Sequence, residues 1–152
     1  MKDYDAEGNY YVIGHLKLIT GLSERTIRNY ISLGLLNGEK INGVWHFTAE
    51  EIERFITDPA IRPSILAKNN ALVYDFLLDS KKKSEECCII LDLKGRDRRS
   101  VAEFFCYEIS NGDFSNINFS FDAAKRQEEP RVILKGNVDD VIGLVNKFYS
   151  IK

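Results

Sequence analysis

Hydrophobic residues recur at helical spacing through the first third of the chain. Residues 12–19 predict a short helix, which ends at Gly21 because glycine tolerates the left-handed conformation of a helix C-terminus. Ser23 is a good N-cap for a second helix over residues 24–33. The pattern therefore predicts two short helices joined by a tight turn.

A short β-hairpin is predicted directly after these helices. Asn42-Gly43 stands between two apolar runs within residues 37–47, and this dipeptide is typical of a type I′ hairpin turn. Thr48 and Glu51 have the spacing of a capping box, in which each side chain bonds the backbone N–H of the other residue. A third helix is therefore predicted to follow the hairpin.

Two prolines predict a linker at residues 59–63, because proline removes a backbone donor and restricts the residue before it. The linker divides the chain into residues 1–58 and residues 64–152. The second part predicts a helix over residues 64–83, followed by elements in the order β-α-β-β-α. The fold class expected for the whole chain is α+β, with a small C-terminal α+β domain.

Four local patterns define the elements of this C-terminal part. Residues 87–93 are continuously apolar, which predicts a strand buried on both faces. Residues 116–122 alternate between apolar and polar, which predicts a half-exposed antiparallel strand. Ser100 and Glu103 have the spacing of a capping box at the start of a helix, and Asn137 is placed to cap the last helix.

The charge of the chain bears on its partners. The 152 residues carry a net charge of −2, and residues 1–58 contain six Lys or Arg against nine Asp or Glu. Between residues 13 and 48, however, four basic residues face only two acidic ones; the four are Lys17, Arg25, Arg28 and Lys40. The local excess of positive charge in residues 13–48 therefore supports contact with phosphates, whereas the net charge of the whole chain does not.

Cysteine and histidine show no pattern of a metal site or a catalytic centre. Cys87-Cys88 permits two interpretations, an effector site or two small residues in a buried strand, and the second is favoured. Cys106 lies among aromatic residues and is expected in the core. The chain shows no nucleophile paired with histidine and no phosphate-binding glycine loop, so we expect no enzyme activity and no catalytic, cofactor-binding or metal-binding residues.

No apolar run approaches the length of a membrane span, and the chain opens on acidic and polar residues. Together with an odd number of cysteines, these features lead us to expect a cytoplasmic protein.

The first third of the chain resembles a known family of regulators. The matching residues are Ile13-Gly14-His15-Leu16, Thr20-Gly21-Leu22-Ser23, Arg25-Thr26-Ile27-Arg28-Asn29-Tyr30, Gly34-Leu35-Leu36 and Gly43-Val44-Trp45-His46-Phe47-Thr48. This pattern of residues and their spacing is similar to that of the MerR family of bacterial transcription regulators. Related modules of phage excisionases share much of the pattern. The resemblance covers about residues 11–56. It implies a winged helix-turn-helix that binds duplex DNA as a homodimer, with residues 24–33 as recognition helix and residues 37–47 as a short wing.

The resemblance and the physics of the major groove together suggest which side chains meet DNA. Side chains at the start of the recognition helix lie near base edges, where arginine pairs with guanine and asparagine with adenine. Tyr30 looks like the family's phosphate-contacting tyrosine. The residues expected near bases are Ser23, Glu24, Arg25, Thr26, Arg28 and Asn29, and those expected from the wing are Lys40, Asn42, Trp45 and His46.

The chain departs from the family pattern at two places. Lys17 stands where the family has a small alanine at the close approach of the two helices, and Val44-Trp45 replaces the Tyr-Arg pair of the wing. With the acidic charge balance, these departures leave an alternative function: a protein–protein adaptor whose helix-turn-helix does not bind DNA. The helix over residues 64–83 is the expected dimer element, and the C-terminal domain is left open as a dimerisation domain or as the site of a small-molecule effector.

Overall fold

The computed structural model describes residues 10–122 and 130–151, and within these ranges it contains six helices and two small antiparallel sheets. The helices are α1 (Ile13–Thr20), α2 (Glu24–Ser32), α3 (Ala49–Ile56), α4 (Arg62–Leu78), α5 (Arg98–Asn111) and α6 (Val138–Ser150). The strands are β1 (Glu39–Ile41), β2 (Val44–His46), β3 (Glu86–Asp92), β4 (Asn118–Asp122) and β5 (Arg131–Asn137). The prediction of a mixed α and β fold is confirmed.

Local signals fix the short elements of the N-terminal part. Ser23 caps α2 by accepting a hydrogen bond of 3.1 Å from the backbone N–H of Thr26. Gly21 ends α1 with a φ of 75°, in the left-handed region. Asn42 and Gly43 have φ values of 51° and 81°, as the two central residues of a type I′ turn require. The predicted cap and hairpin turn are confirmed.

Of the two capping boxes predicted from the sequence, the structure contains the one at Thr48 and lacks the one at Ser100. At α3, Thr48 accepts a bond of 3.1 Å from the N–H of Glu51, whose carboxylate accepts one of 2.9 Å in return. At α5 the predicted cap is wrong, because the helix begins three residues earlier at an Asp97 cap. The carboxylate of Asp97 accepts a bond of 2.9 Å from the N–H of Ser100, which therefore lies inside the helix.

The predicted linker at residues 59–63 is an ordered turn. The backbone oxygen of Asp58 accepts hydrogen bonds from the N–H groups of Ile61 and Arg62, at 2.9 and 3.0 Å. Ile61 is fully buried, and Pro63 occupies the first turn of α4, where its missing N–H leaves no helical bond unmade. Buried side chains on both sides of this turn belong to one core. The division into two domains stays a prediction.

The second sheet has the strand order β3-β5-β4, with β5 in the centre. Aromatic rings from three elements stack on one face of it: the centroid of Phe105 in α5 lies 5.5 Å from Phe119 in β4 and 5.1 Å from Phe148 in α6. On the opposite face, Asn69 of α4 accepts a hydrogen bond from the buried hydroxyl of Ser120. The sheet is therefore covered by α5 and α6 on one side and by α4 on the other.

This arrangement overturns one prediction about strand burial and limits another. The run over residues 87–93 was expected to be buried on both faces, but β3 is an outer strand and Ile90 is 50% exposed. The run over residues 116–122 was expected to be half exposed, and Asn116 and Asn118 are exposed as predicted. Ser120 departs from this pattern and is buried, because α4 covers the polar face at that position. Helix α4 also ends at Leu78, before the predicted end at residue 83.

No helix in the described parts of the chain has the length and apolar character needed to cross a membrane.

Candidate nucleic-acid interface

Helix α2 separates an anchoring face from an accessible polar face. Ile27 is fully buried, whereas the other face of the helix is open. One groove on this face is lined by Arg25, Thr26, Arg28, Asn29 and Ser32. The structure therefore brings together four of the residues that the sequence predicted near base edges, on a surface that a partner can reach.

Ser23 and Glu24 occupy the start of the same helix. The hydroxyl of Ser23 accepts the N–H of Thr26 and lies 3.0 Å from the Thr26 hydroxyl, so its first role is to fix where the helix begins. Glu24 forms an ion pair of 2.8 Å with Arg28, one turn further along. Both side chains of this pair are about half exposed, and such pairs contribute little to stability. Arg28 can therefore exchange Glu24 for another anion at little cost.

Tyr30 lies apart from the open groove. Its ring meets Phe55 of α3 edge-on at 5.5 Å, and its hydroxyl oxygen lies 3.5 Å from that of Ser64 at the start of α4. The side chain is half buried. Tyr30 therefore joins α2 to α3 and α4, and its hydroxyl is turned toward α4.

The hairpin presents two of its four predicted residues more openly than the others. Lys40 and Asn42 are exposed, whereas Trp45 and His46 are half buried. The ammonium nitrogen of Lys40 lies 5.9 Å from the centre of the Trp45 ring, and His46 stacks on Tyr10 with ring centroids 4.0 Å apart. The two rings brace the hairpin, and the lysine and the turn at its tip remain accessible.

Two further lysines lie beside the turn between α1 and α2. A β-carbon placed on Gly21 would lie 3.1 Å from the β-carbon of Lys68, so α4 passes directly against this turn. Lys17, Lys68 and Ser23 line one open cavity of about 730 Å³, to which Asp75 also contributes. The sequence predicted Lys17 at the close approach of the two helices, but its side chain is exposed. Lys68 was not predicted, because no local pattern shows that α4 returns to this turn.

Cys106 is buried in the core, whereas Cys87 and Cys88 are partly buried on the outer strand β3. Burial raises the pKa of Cys106 to about 12, and this thiol is 1% exposed, as predicted for a core residue. Burial also raises the pKa of Cys87 and Cys88, so at neutral pH each is less thiolate than a free cysteine. Within the described residues, no three His, Cys, Asp or Glu side chains are grouped so as to hold a metal ion.

A small cavity lies where the N-terminal helices meet α5. Its lining is mostly apolar, with Glu53, Arg98 and Arg99 at its edge, and its volume is about 40 Å³. Sites for organic ligands are usually several hundred cubic ångströms or more. This cavity has room for one or two water molecules and is too small for an organic effector.

No family model, no curated protein and no solved structure matches this chain.

Proposed function

We propose that the chain binds duplex DNA through a winged helix-turn-helix and acts as a transcriptional regulator. In this proposal α1 and α2 form the helix-turn-helix, α2 enters the major groove, and the hairpin β1–β2 is the wing. The observation that carries the proposal is the accessible face of α2, where Arg25, Arg28 and Asn29 share one groove while Ile27 holds the helix to the core. An arginine or asparagine at such a position recognises guanine or adenine through two hydrogen bonds.

In this proposal three further exposed lysines contact the phosphates on either side of α2. Lys40 projects from the hairpin, and Lys17 and Lys68 flank the turn before α2. Each phosphate contact steepens the dependence of affinity on salt by about 0.9 in the logarithmic slope. The acidic character of the whole chain is compatible with this proposal, because the interface needs only a local excess of positive charge.

Fluorescence anisotropy with a labelled duplex of random sequence, at about 50 and 200 mM salt, tests this function. We expect binding at low salt that weakens steeply as salt is added. The combined substitution Arg25→Gln and Arg28→Gln should raise the Kd at least about tenfold. Lys81→Gln with Lys83→Gln removes two exposed charges elsewhere and should leave the Kd nearly unchanged. Absence of binding by the unaltered chain at low salt would contradict the proposal.

A protein–protein adaptor is the second candidate, and exposed apolar side chains favour it. Leu33, at the end of α2, is 64% exposed, and Ile41 and Val44, on either side of the hairpin turn, are also exposed. Exposed apolar residues in one segment are typical of a surface that meets another protein. If the chain fails to bind DNA with Arg25 and Arg28 intact, this segment becomes the interface to test.

A further inference from the structure

The outer edge of β3 is an open strand edge. β3 pairs with β5 on one side, and within residues 10–122 and 130–151 no strand pairs with its other side. The strand at the opposite end of the sheet, β4, packs against α1 and α4. An unpaired edge presents a row of backbone donors and acceptors that another strand can bind.

Two hydrogen bonds at the ends of β3 show which backbone groups face outward. The N–H of Leu93 donates to the oxygen of Pro130 at 2.9 Å, and the oxygen of Glu85 accepts from Val138 at 3.0 Å. Both bonds continue the register of β3 on β5, so the odd-numbered residues of β3 point their backbone groups toward β5. Because successive residues of a strand alternate, the even-numbered residues direct their N–H and C=O groups to the open edge.

We propose that β3 pairs in an antiparallel manner with β3 of a second copy of this chain, which joins the two sheets into one sheet of six strands. The two-fold axis passes through Ile90, so that each outward N–H of one copy meets a C=O of the other. This surface would give the proposed regulator its dimer, but the pairing itself does not depend on DNA binding. It replaces the helix over residues 64–83 as the expected dimer element.

We compare two-fold axes at Cys88, Ile89 and Ile90, and charge complementarity favours the axis at Ile90. A two-fold axis at Ile90 places the two Ile90 side chains opposite each other. It also brings Glu86 of one copy toward Lys94 of the other, in the turn that directly follows β3. An axis at Ile89 would instead place Glu86 opposite Asp92, and like charges that face each other across strands are destabilising. An axis at Cys88 would place the Glu86 carboxylate of one copy opposite the apolar Ile90 of the other.

The joined sheet also suits two DNA half-sites. Six strands about 4.8 Å apart place the two β4 strands about 24 Å from each other. Each α1 packs against its own β4, so the two α1–α2 units lie near opposite ends of this sheet. The two α1–α2 units would therefore be separated by somewhat more than about 24 Å. This approaches the distance of about 34 Å between DNA half-sites one helical turn apart.

Sedimentation velocity on the full chain and on three single variants tests the surface. The unaltered chain should be a dimer, and Ile90→Lys should raise its dissociation constant at least about tenfold by setting two cations face to face. Ile142→Lys alters a comparably exposed residue of α6, and Leu77→Lys alters α4; neither should change the constant. Circular dichroism checks that each variant is folded. A monomeric chain at about 100 µM, or dissociation caused by Leu77→Lys but not by Ile90→Lys, would overturn the proposal.

A charge exchange tests the register. Glu86→Lys and Lys94→Glu should each weaken the dimer, because each sets like charges opposite one another. The two substitutions together should restore the dimer to within about threefold of the unaltered constant. A double variant as weak as the singles would overturn the register at Ile90.

The DNA assay separates the two proposals. A dimer that binds no DNA removes the proposed function and leaves the β3 pairing intact. A monomer that binds DNA removes the pairing and leaves the proposed function intact.

Discussion

His15 lies buried in α1, with 1% of its surface exposed, and its Nδ1 accepts a hydrogen bond of 3.1 Å from the backbone N–H of Val12. His15 is the third residue of α1, and its imidazole bonds back to the N–H of the N-cap residue Val12, as a glutamate or glutamine does in a capping box. Burial lowers the pKa of His15 to about 4. The ring therefore stays neutral in the folded protein, and protonation at Nδ1 would remove the acceptor of the cap.

The stability of the fold should consequently decrease as the pH falls. The unfolded chain takes up a proton on His15 near pH 6.5, whereas the folded chain does so only near pH 4. The contribution is complete above pH 6.5 and is lost progressively toward pH 4, up to about 3 kcal/mol of unfolding free energy. Urea unfolding at several pH values between 7 and 4 measures it.

His15→Asn is the matched control, because its amide oxygen can accept the same bond and the side chain does not titrate. Its unfolding free energy should be nearly constant over this interval. An unchanged pH dependence in this variant would show that other groups cause it.

Elements whose geometry is fixed by neighbouring residues could be predicted from the sequence. The cap at Ser23, the box at Thr48 and the turn at Asn42-Gly43 involve only contacts over a few positions, and all three are present. These local features place α2 and the hairpin, which carry most of the candidate interface. Their use on DNA stays a proposal.

Features that depend on the packing of distant elements could not be predicted. Ser120 has the polar character of an exposed strand position, but it is buried because its hydroxyl meets Asn69 of α4. Asn69 is itself a polar residue on the buried side of α4, and nothing near it in the sequence points to Ser120 as its partner. The apolar run of β3 suggested a central strand, since composition does not show that β5 takes the centre of the sheet. In each case the deciding contact joins residues far apart in the chain.

Helix α4 passes against the turn between α1 and α2, so Lys17 and Lys68 line the same cavity beside the proposed interface. If both contact phosphates, Lys17→Gln with Lys68→Gln should flatten the plot of log Kd against log salt by about 1.8. Sequence preference should be unchanged, since phosphate contacts carry no direct base information. The control is again Lys81→Gln with Lys83→Gln. An unaltered slope would place the two lysines outside the interface.

At the scale of the whole molecule, polar contacts join the two parts of the chain as well as the shared core does. The guanidinium of Arg98 in α5 lies 3.0 Å from the carboxylate of Glu53 in α3, and Arg98 is itself buried. Tyr11, just before α1, donates a hydrogen bond to Glu103 of α5. These links cross the predicted boundary at residues 59–63. They favour cooperative unfolding of the chain as one unit.

Trp45 allows this cooperativity to be measured, because it is the single tryptophan of the chain and reports on the N-terminal part alone. Leu144 of α6 is fully buried in the C-terminal part, so Leu144→Ala should cost about 2–5 kcal/mol there. If the chain unfolds as one unit, the urea midpoint seen by Trp45 fluorescence falls by as much as the midpoint seen by circular dichroism. Tyr149→Ala, which shortens an exposed side chain of the same helix, should shift both midpoints much less. Two independent domains would behave differently: the Trp45 midpoint would stay in place while circular dichroism resolved two transitions.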